Sequence, residues 1–99
     1  MSQKRKNTGI KYAAALKYKQ GEDDAPRVIA LGKGTIAQKI IETAQKHNIP
    51  IHKDPDLVYA LSTLEIGQEI PPEMYRAVAE VLAFIVHLDK KAAEKMGIT

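Results

Sequence analysis

The chain has 99 residues and a mass of 10.9 kDa, and 44% of its residues are hydrophobic. A chain of this length usually folds as one domain, and with four Tyr, one Phe and no Trp its core must be aliphatic. The lack of Cys excludes disulfides, thiolate metal sites and Cys nucleophiles, and no apolar run approaches the ~18 residues that span a bilayer. The net charge is +3, with Lys concentrated near the start. We expect residues 1–8 to be a basic flexible tail and residues 9–97 to be the single domain.

Two strands are predicted first. Apolar residues alternate with others along residues 10–18, which is typical of a strand with one face on a core and one in water. The Ala and Lys content suits a position at or near a sheet edge. A polar turn follows in residues 20–26, and the apolar run Val28–Leu31 predicts a second strand buried on both faces.

A helix is predicted from Thr35 to about Lys46. Thr35 and Gln38 have the spacing of a capping box, and apolar residues recur at helical intervals. His47 and Asn48 end this helix, and residues 49–52 form a short third strand. A strand, a helix and a strand in this order predict a βαβ unit with parallel pairing of its strands.

Two further helices complete the predicted fold. Asp54 as N-cap and Pro55 in the first turn begin a short helix that ends near Leu61. Residues 71–73 begin the last helix, whose apolar stripe is Met74, Val78, Val81, Leu82, Ile85 and Leu88. Its C-terminal end carries Lys90, Lys91 and Lys95 and is stopped by Gly97. The predicted fold class is α/β: a small mixed sheet of three to four strands with a βαβ unit, flanked by helices, the C-terminal one long.

Motifs for catalysis or cofactor binding are weak. Residues 32–37 read Gly-Lys-Gly-Thr-Ile-Ala and match the G-x-G-x-x-A turn of dinucleotide-binding folds, which leaves a small nucleotide-binding enzyme as one hypothesis. Such folds need a two-part sheet, for which the chain has no room, so we expect no cofactor. His47, His52 and His87 lack the spacing of metal ligands, so we expect no metal. We therefore expect a protein that is not an enzyme. The Lys-rich start favours a basic nucleic-acid-associated protein as the alternative function.

Several segments resemble one family when they are taken in order. They are Tyr-Ala-Ala-Ala-Leu-Lys-Tyr at 12–18, Asp-Ala-Pro-Arg-Val-Ile-Ala at 24–30, Ile-Pro-Ile at 49–51, Asp-Pro at 54–55, Glu-Ile-Gly at 65–67, and a closing segment from Ile-Pro at 70–71 to Tyr-Arg-Ala-Val-Ala-Glu-Val-Leu-Ala at 75–83. Over about residues 8–90 the chain resembles the cytoplasmic domain of the FlhB/YscU family of type III secretion export-switch proteins.

The resemblance implies a non-enzymatic protein-interaction module of flagellar type III export. The module would be a stand-in for, or a modulator of, the export-switch domain that recognises export substrates. Its partners would be export-apparatus components, export-substrate peptides and the membrane-anchored full-length homologue, with no specific nucleic acid and no insertion into a membrane. The implied location is the cytoplasm, beside the export gate. The implied substrate-docking patch consists of Ala25, Pro26, Ala79 and Leu82.

The chain departs from the family pattern at the self-cleavage motif, Asn-Pro-Thr-His. The matching positions here are Thr8, Gly9, Ile10 and Lys11. Thr8 offers no side-chain amide to attack its own carbonyl, Gly9 does not fix φ as proline does, and Lys11 replaces the imidazole. We therefore expect an uncut chain. Since family members also carry a membrane domain, we expect a small stand-alone protein that lacks it.

Overall fold

Eight elements make up the described part of the fold. The computed structural model describes residues 10–19, 21–88 and 94–99, with the backbone alone of residues 84–88. In chain order the elements are β1 (Tyr12–Lys17), β2 (Arg27–Lys33), α1 (Thr35–Lys46), β3 (Ile51–His52), α2 (Pro55–Leu61), a 3₁₀ turn (Pro72–Met74), α3 (Tyr75–Leu88) and β4 (Lys95–Ile98). The α/β class, the four-stranded sheet and the long helix α3 agree with the prediction.

The sheet is mixed and has the strand order β2-β1-β4-β3. Strand β1 pairs antiparallel with both β2 and β4, and β3 pairs parallel with β4. It follows that β2 and β3, which α1 connects, run in the same direction, as the βαβ prediction required. The predicted direct pairing of these two strands is wrong, because β1 and β4 lie between them. Strand β1 lies next to the edge strand, β2.

The C-terminal strand corrects the predicted end of the last helix. Lys95 and Gly97 belong to β4, not to a helix terminus. Met96 and Ile98 are fully buried, and the Gly97 amide donates to the carbonyl of Pro50 at 2.8 Å. An apolar residue at every second position is a strand pattern, but four residues are too few to outweigh the helical pattern before them. Lys90, Lys91 and the side chains of Ile85 and Leu88 lie outside the described part of the chain.

One face of the sheet carries the main hydrophobic core. Because side chains alternate along a strand, Ala14 and Leu16 of β1 point to the same face as Met96 and Ile98, their neighbours on β4. Helices α2 and α3 cover this face. The buried cluster consists of Ala14, Leu16, Val28, Leu57, Val58, Leu61, Ile70, Val78, Val81, Met96 and Ile98. Among the residues whose side chains the structure describes, the expectation of an aliphatic core is confirmed.

The other face of the sheet is covered by α1. The prediction that this face of β1 lies in water is wrong, since Ala13 is only 2% exposed. Helix α1 approaches β2 closely at Gly32, where an added Cβ would overlap the side chain of Ile36 and lie 3.1 Å from Cδ1 of Ile40. Alanine occurs on both buried and exposed faces of strands, so the sequence pattern of β1 did not indicate that a helix packs on this face.

Strand β2 is less buried than predicted. Ala15 pairs with Ala30 and Leu16 pairs with Val28, so Ile29 is the extra residue of a β-bulge. Val28 is fully buried, but the Ile29 side chain is 39% exposed. The bulge therefore turns an aliphatic side chain toward the surface beside α1.

The helix caps agree with the prediction in one case and not in the other. Asp54 caps α2: its Oδ1 accepts a hydrogen bond from the Leu57 amide at 3.1 Å. The predicted capping box of α1 is not formed, since the N-cap is Gly34, at φ 61°, and no side chain caps this terminus. Thr35 is instead the first helical residue.

Candidate functional site

The predicted docking patch begins in the turn before β2, and that turn buries its two patch residues. Ala25 is 3% exposed and Pro26 is also buried. The turn is ordered by Asp23, whose Oδ2 accepts a hydrogen bond from the Lys19 amide at 2.7 Å. Ala25 and Pro26 are therefore buried and offer little surface to a partner.

The buried turn is held by residues 67–70, which run along the outer edge of β2. The Ile70 amide donates to the Pro26 carbonyl at 2.9 Å, and the Gly67 amide donates to the Val28 carbonyl at 2.7 Å. Arg27 strengthens this pairing because its guanidinium donates to the Gly67 carbonyl at 2.6 Å and lies 3.2 Å from the Glu69 carboxylate. The chain then enters the 3₁₀ turn and α3, so these hydrogen bonds tie the turn to the segment that begins α3.

The other two patch residues lie on α3. Ala79 is exposed, whereas Leu82 is half-buried and packs against the core. Tyr75, 45% exposed, lies four residues before Ala79, so helical spacing puts Tyr75, Ala79 and Leu82 on one side of α3. We call these three residues the α3 strip. The sequence prediction did not include Tyr75, although its spacing from Ala79 was available.

The positions that match the self-cleavage motif precede β1. Thr8 and Gly9 lie outside the described residues, and Ile10 is 51% exposed. The Lys11 ammonium donates to Oε1 of Gln38 at 3.2 Å, and the Lys11 carbonyl accepts from the Gly34 amide at 2.7 Å. Lys11 therefore ties the start of β1 to the start of α1. Ile10 and Lys11 stand where the family motif has Thr and His.

The glycine-rich turn and the histidines have structural contacts. Gly32 lets α1 approach β2, which is a packing role for the G-x-G-x-x-A segment. The Nδ1 atom of His47 lies 2.9 Å from the Thr43 carbonyl at the end of α1, and His52 is half-buried in β3. The side chain of His87 lies outside the described part of the chain. Within residues 10–19, 21–88 and 94–99, no three His, Cys, Asp or Glu side chains are grouped to hold a metal ion.

Sequence comparison relates this fold to proteins of flagellar biosynthesis. Residues 9–85 match the model of the FlhB HrpN YscU SpaS family. The chain is 50% identical over 80 residues to the flagellar biosynthetic protein FlhB of Aquifex aeolicus, covering 80% of this chain and 23% of that protein. It is 42% identical over 91 residues to the uncharacterized protein YlqH of Bacillus subtilis, covering 92% of this chain and 98% of YlqH. The chain thus spans about a quarter of the Aquifex FlhB protein and almost all of YlqH.

Solved structures show the same fold. A mutated EscU/SpaS C-terminal domain superposes with a TM-score of 0.75 at 32% identity, over 78% of this chain and 96% of that domain. The PscU C-terminal domain superposes with a TM-score of 0.73 at 28% identity, over 76% of this chain and 96% of that domain. Among the described residues, none of the helices has the length and apolar character needed to cross a bilayer.

Proposed function

The chain belongs to the FlhB HrpN YscU SpaS family of type III export, and we propose that it is a protein-interaction module of flagellar export. In this role it stands in for, or modulates, the export-switch domain that recognises export substrates. The observation that carries the proposal is the match of residues 9–85 to the family model. The match includes every described element from β1 to the 3₁₀ turn and most of α3. The basic nucleic-acid-associated alternative rests on the Lys-rich start alone and is not favoured.

We propose that export-substrate peptides dock on the α3 strip. Since the structure buries Ala25 and Pro26, a peptide would contact mainly Ala79, Leu82 and the ring of Tyr75. A small apolar contact of this kind gives weak, reversible binding, which suits a module that must release each substrate.

The experiment combines deletion of the gene with complementation. In the source organism the gene is deleted in two backgrounds, one with and one without the cytoplasmic domain of the membrane-anchored homologue, and flagellar proteins in the medium are quantified. We expect export to fall in at least one background and to be restored by the wild-type chain. Ala79→Asp should fail to restore it, because a charge on the α3 strip would have to be desolvated on docking.

The matched control for Ala79→Asp is Gln45→Asp. Gln45 is exposed on α1, on the opposite side of the sheet, so the same carboxylate is introduced away from the α3 strip. Both variants should have the circular dichroism spectrum of the wild type. Unchanged export after deletion in both backgrounds would contradict the proposed role. Full restoration by Ala79→Asp would contradict the docking site while leaving the role in export intact.

We further propose that the chain is not cut at the positions of the family's self-cleavage motif. The support is chemical: Thr8, at the position of the attacking Asn, has no side-chain amide, and the Lys11 ammonium, at the position of the His, donates to Oε1 of Gln38. Intact-mass measurement after prolonged incubation at neutral pH should give a single species of full mass. Two fragments that separate between residues 7 and 11 would show that another group carries out the cleavage.

A further inference from the structure

The face of the sheet under α1 contains an open groove. Its floor is formed by Ala15 of β1 and Ala30 of β2, and its walls include Ile36 and Ile40 of α1 and Ile49 before β3. Small floor residues leave this space although α1 approaches β2 closely at Gly32. The groove has a volume of about 440 Å³, which lies within the range of ligand-binding clefts. We call it the α1 groove.

Exposed aliphatic side chains lie at the mouth of the α1 groove. Ile36 is 54% exposed and Ile29, which the β-bulge turns outward, is 39% exposed. Exposed isoleucines that adjoin an apolar groove are typical of interaction surfaces, since a partner that covers them removes apolar area from water. The α1 groove lies on the opposite face of the sheet from α2 and α3, so it is separate from the α3 strip.

The charged residues that line the α1 groove are basic. Lys39 of α1 and Lys95 of β4 line it, and none of its described lining residues is acidic. Lys17 lies directly opposite Lys95 in the β1–β4 pair, on the same face of the sheet. Like charges at directly opposed positions repel each other. Neither Lys39, Lys17 nor Lys95 forms an ion pair with any residue that the structure describes. The three ammonium groups are therefore available to an anionic partner.

We infer that the α1 groove binds an acidic peptide segment of a partner protein that carries aliphatic side chains. The aliphatic side chains enter between α1 and the sheet, and the carboxylates lie against Lys39, Lys95 and Lys17. This surface would be additional to the proposed docking site on α3 and does not depend on it.

Other occupants fit the α1 groove less well. A bilayer is flat on this scale and contacts protruding side chains, whereas the alanine floor is recessed beneath α1. Single-stranded nucleic acid stacks its bases mainly on large aromatic side chains, and the described lining residues include no Phe, Tyr or Trp. A second copy of the chain would bring its own basic groove against this one in a symmetric contact, which like charges oppose.

The test is selection from a random library of short phage-displayed peptides on the immobilised full chain. We expect the enriched peptides to combine Asp or Glu with Leu, Ile or Val, and to bind more weakly at high salt because the ionic contacts are screened. When one enriched peptide is titrated into ¹⁵N-labelled protein, amide shifts should cluster in α1, β4, the second half of β1 and the part of β2 that contains Ile29 and Ala30.

Two matched pairs of variants locate the binding site. Ile36→Glu should weaken binding of the enriched peptide by roughly tenfold or more, since it removes apolar contact and adds repulsion. Ile66→Glu is its control, because Ile66 is 65% exposed and does not line the α1 groove. Lys39→Glu should weaken binding by roughly fivefold, whereas Lys53→Glu, at an exposed position away from the groove, should not.

Each other outcome overturns the inference. These outcomes are no enrichment, enrichment without acidic residues, shifts confined to α3, and equal binding by Ile36→Glu and Ile66→Glu. The surface would be assigned to a membrane instead if the protein sedimented with phosphatidylcholine vesicles containing phosphatidylglycerol and the Ile36→Glu variant did not. If the α1 amide signals of the protein alone moved on dilution, without any peptide, the surface would be assigned to self-association.

Discussion

The most direct test of the fold is Ile98→Ala in β4, the strand that the sequence prediction missed. Ile98 is 0% exposed and packs in the core with Ala14, its cross-strand neighbour on β1. The substitution removes three carbon atoms. At about 0.8 kcal/mol per buried methylene, the lost transfer free energy is about 2.5 kcal/mol, and the remaining cavity adds about 1 kcal/mol. We expect the free energy of unfolding to fall by about 3–4 kcal/mol.

The assay is urea unfolding followed by circular dichroism, with Ile66→Ala as the matched control. Ile66 is 65% exposed, so the same truncation there should change the free energy of unfolding by less than about 0.5 kcal/mol. For a domain of this size, the loss at Ile98 corresponds to a decrease in Tm of about 12–25 °C. If both variants lost the same small amount, Ile98 would be a surface residue and β4 would not lie inside the sheet.

Three further predictions concern single contacts. Gly32→Ala should destabilise the fold by about 1–2 kcal/mol, because the new Cβ would overlap Ile36; a double-mutant cycle with Ile36→Ala in urea melts should show coupling rather than additivity. Asp54→Ala should cost about 1 kcal/mol in the same assay through loss of the α2 cap, whereas Asp54→Asn should retain most of the stability. Lys95→Glu should raise the free energy of unfolding by a few tenths of a kcal/mol at low salt by removing repulsion from Lys17, and the gain should vanish at high salt.

The parts of the fold with long or strongly punctuated patterns could be predicted from the sequence. Helix α1 ends at Lys46 as predicted, because the helical spacing of its apolar residues spans three turns and His47 and Asn48 stop it. Asp54 and Pro55 mark the start of α2 correctly because a cap acts through local hydrogen bonds. By contrast, β4 is four residues long, and it becomes a strand through pairing with β1, some eighty residues earlier in the chain. No local pattern carries that information.

The docking site stays a prediction, but the structure shows that the exposure of its residues differs from what the sequence indicates. Ala25 and Pro26 are buried because residues 67–70, about forty positions later, form hydrogen bonds along the edge of β2. The polar residues at the start of this turn predict an exposed segment when only the local sequence is considered. The α1 groove has the same origin, because it needs residues from three elements. Pairing of β1 with β2 puts Ala15 and Ala30 on one face, and the close approach at Gly32 brings Ile36 to them.

We expect the fold to tolerate the proposed loss of the self-cleavage residues. Strand β1 begins at Tyr12, after the four motif positions, and its register with β2 is set by backbone pairing. The contribution of Lys11 to this register is its carbonyl, which accepts from the Gly34 amide and which any residue would supply. Ile10 is 51% exposed and therefore contributes little to the core. The side chains of Ile10 and Lys11 therefore contribute little to the register of the sheet, so we expect replacement at these two positions to leave the fold intact.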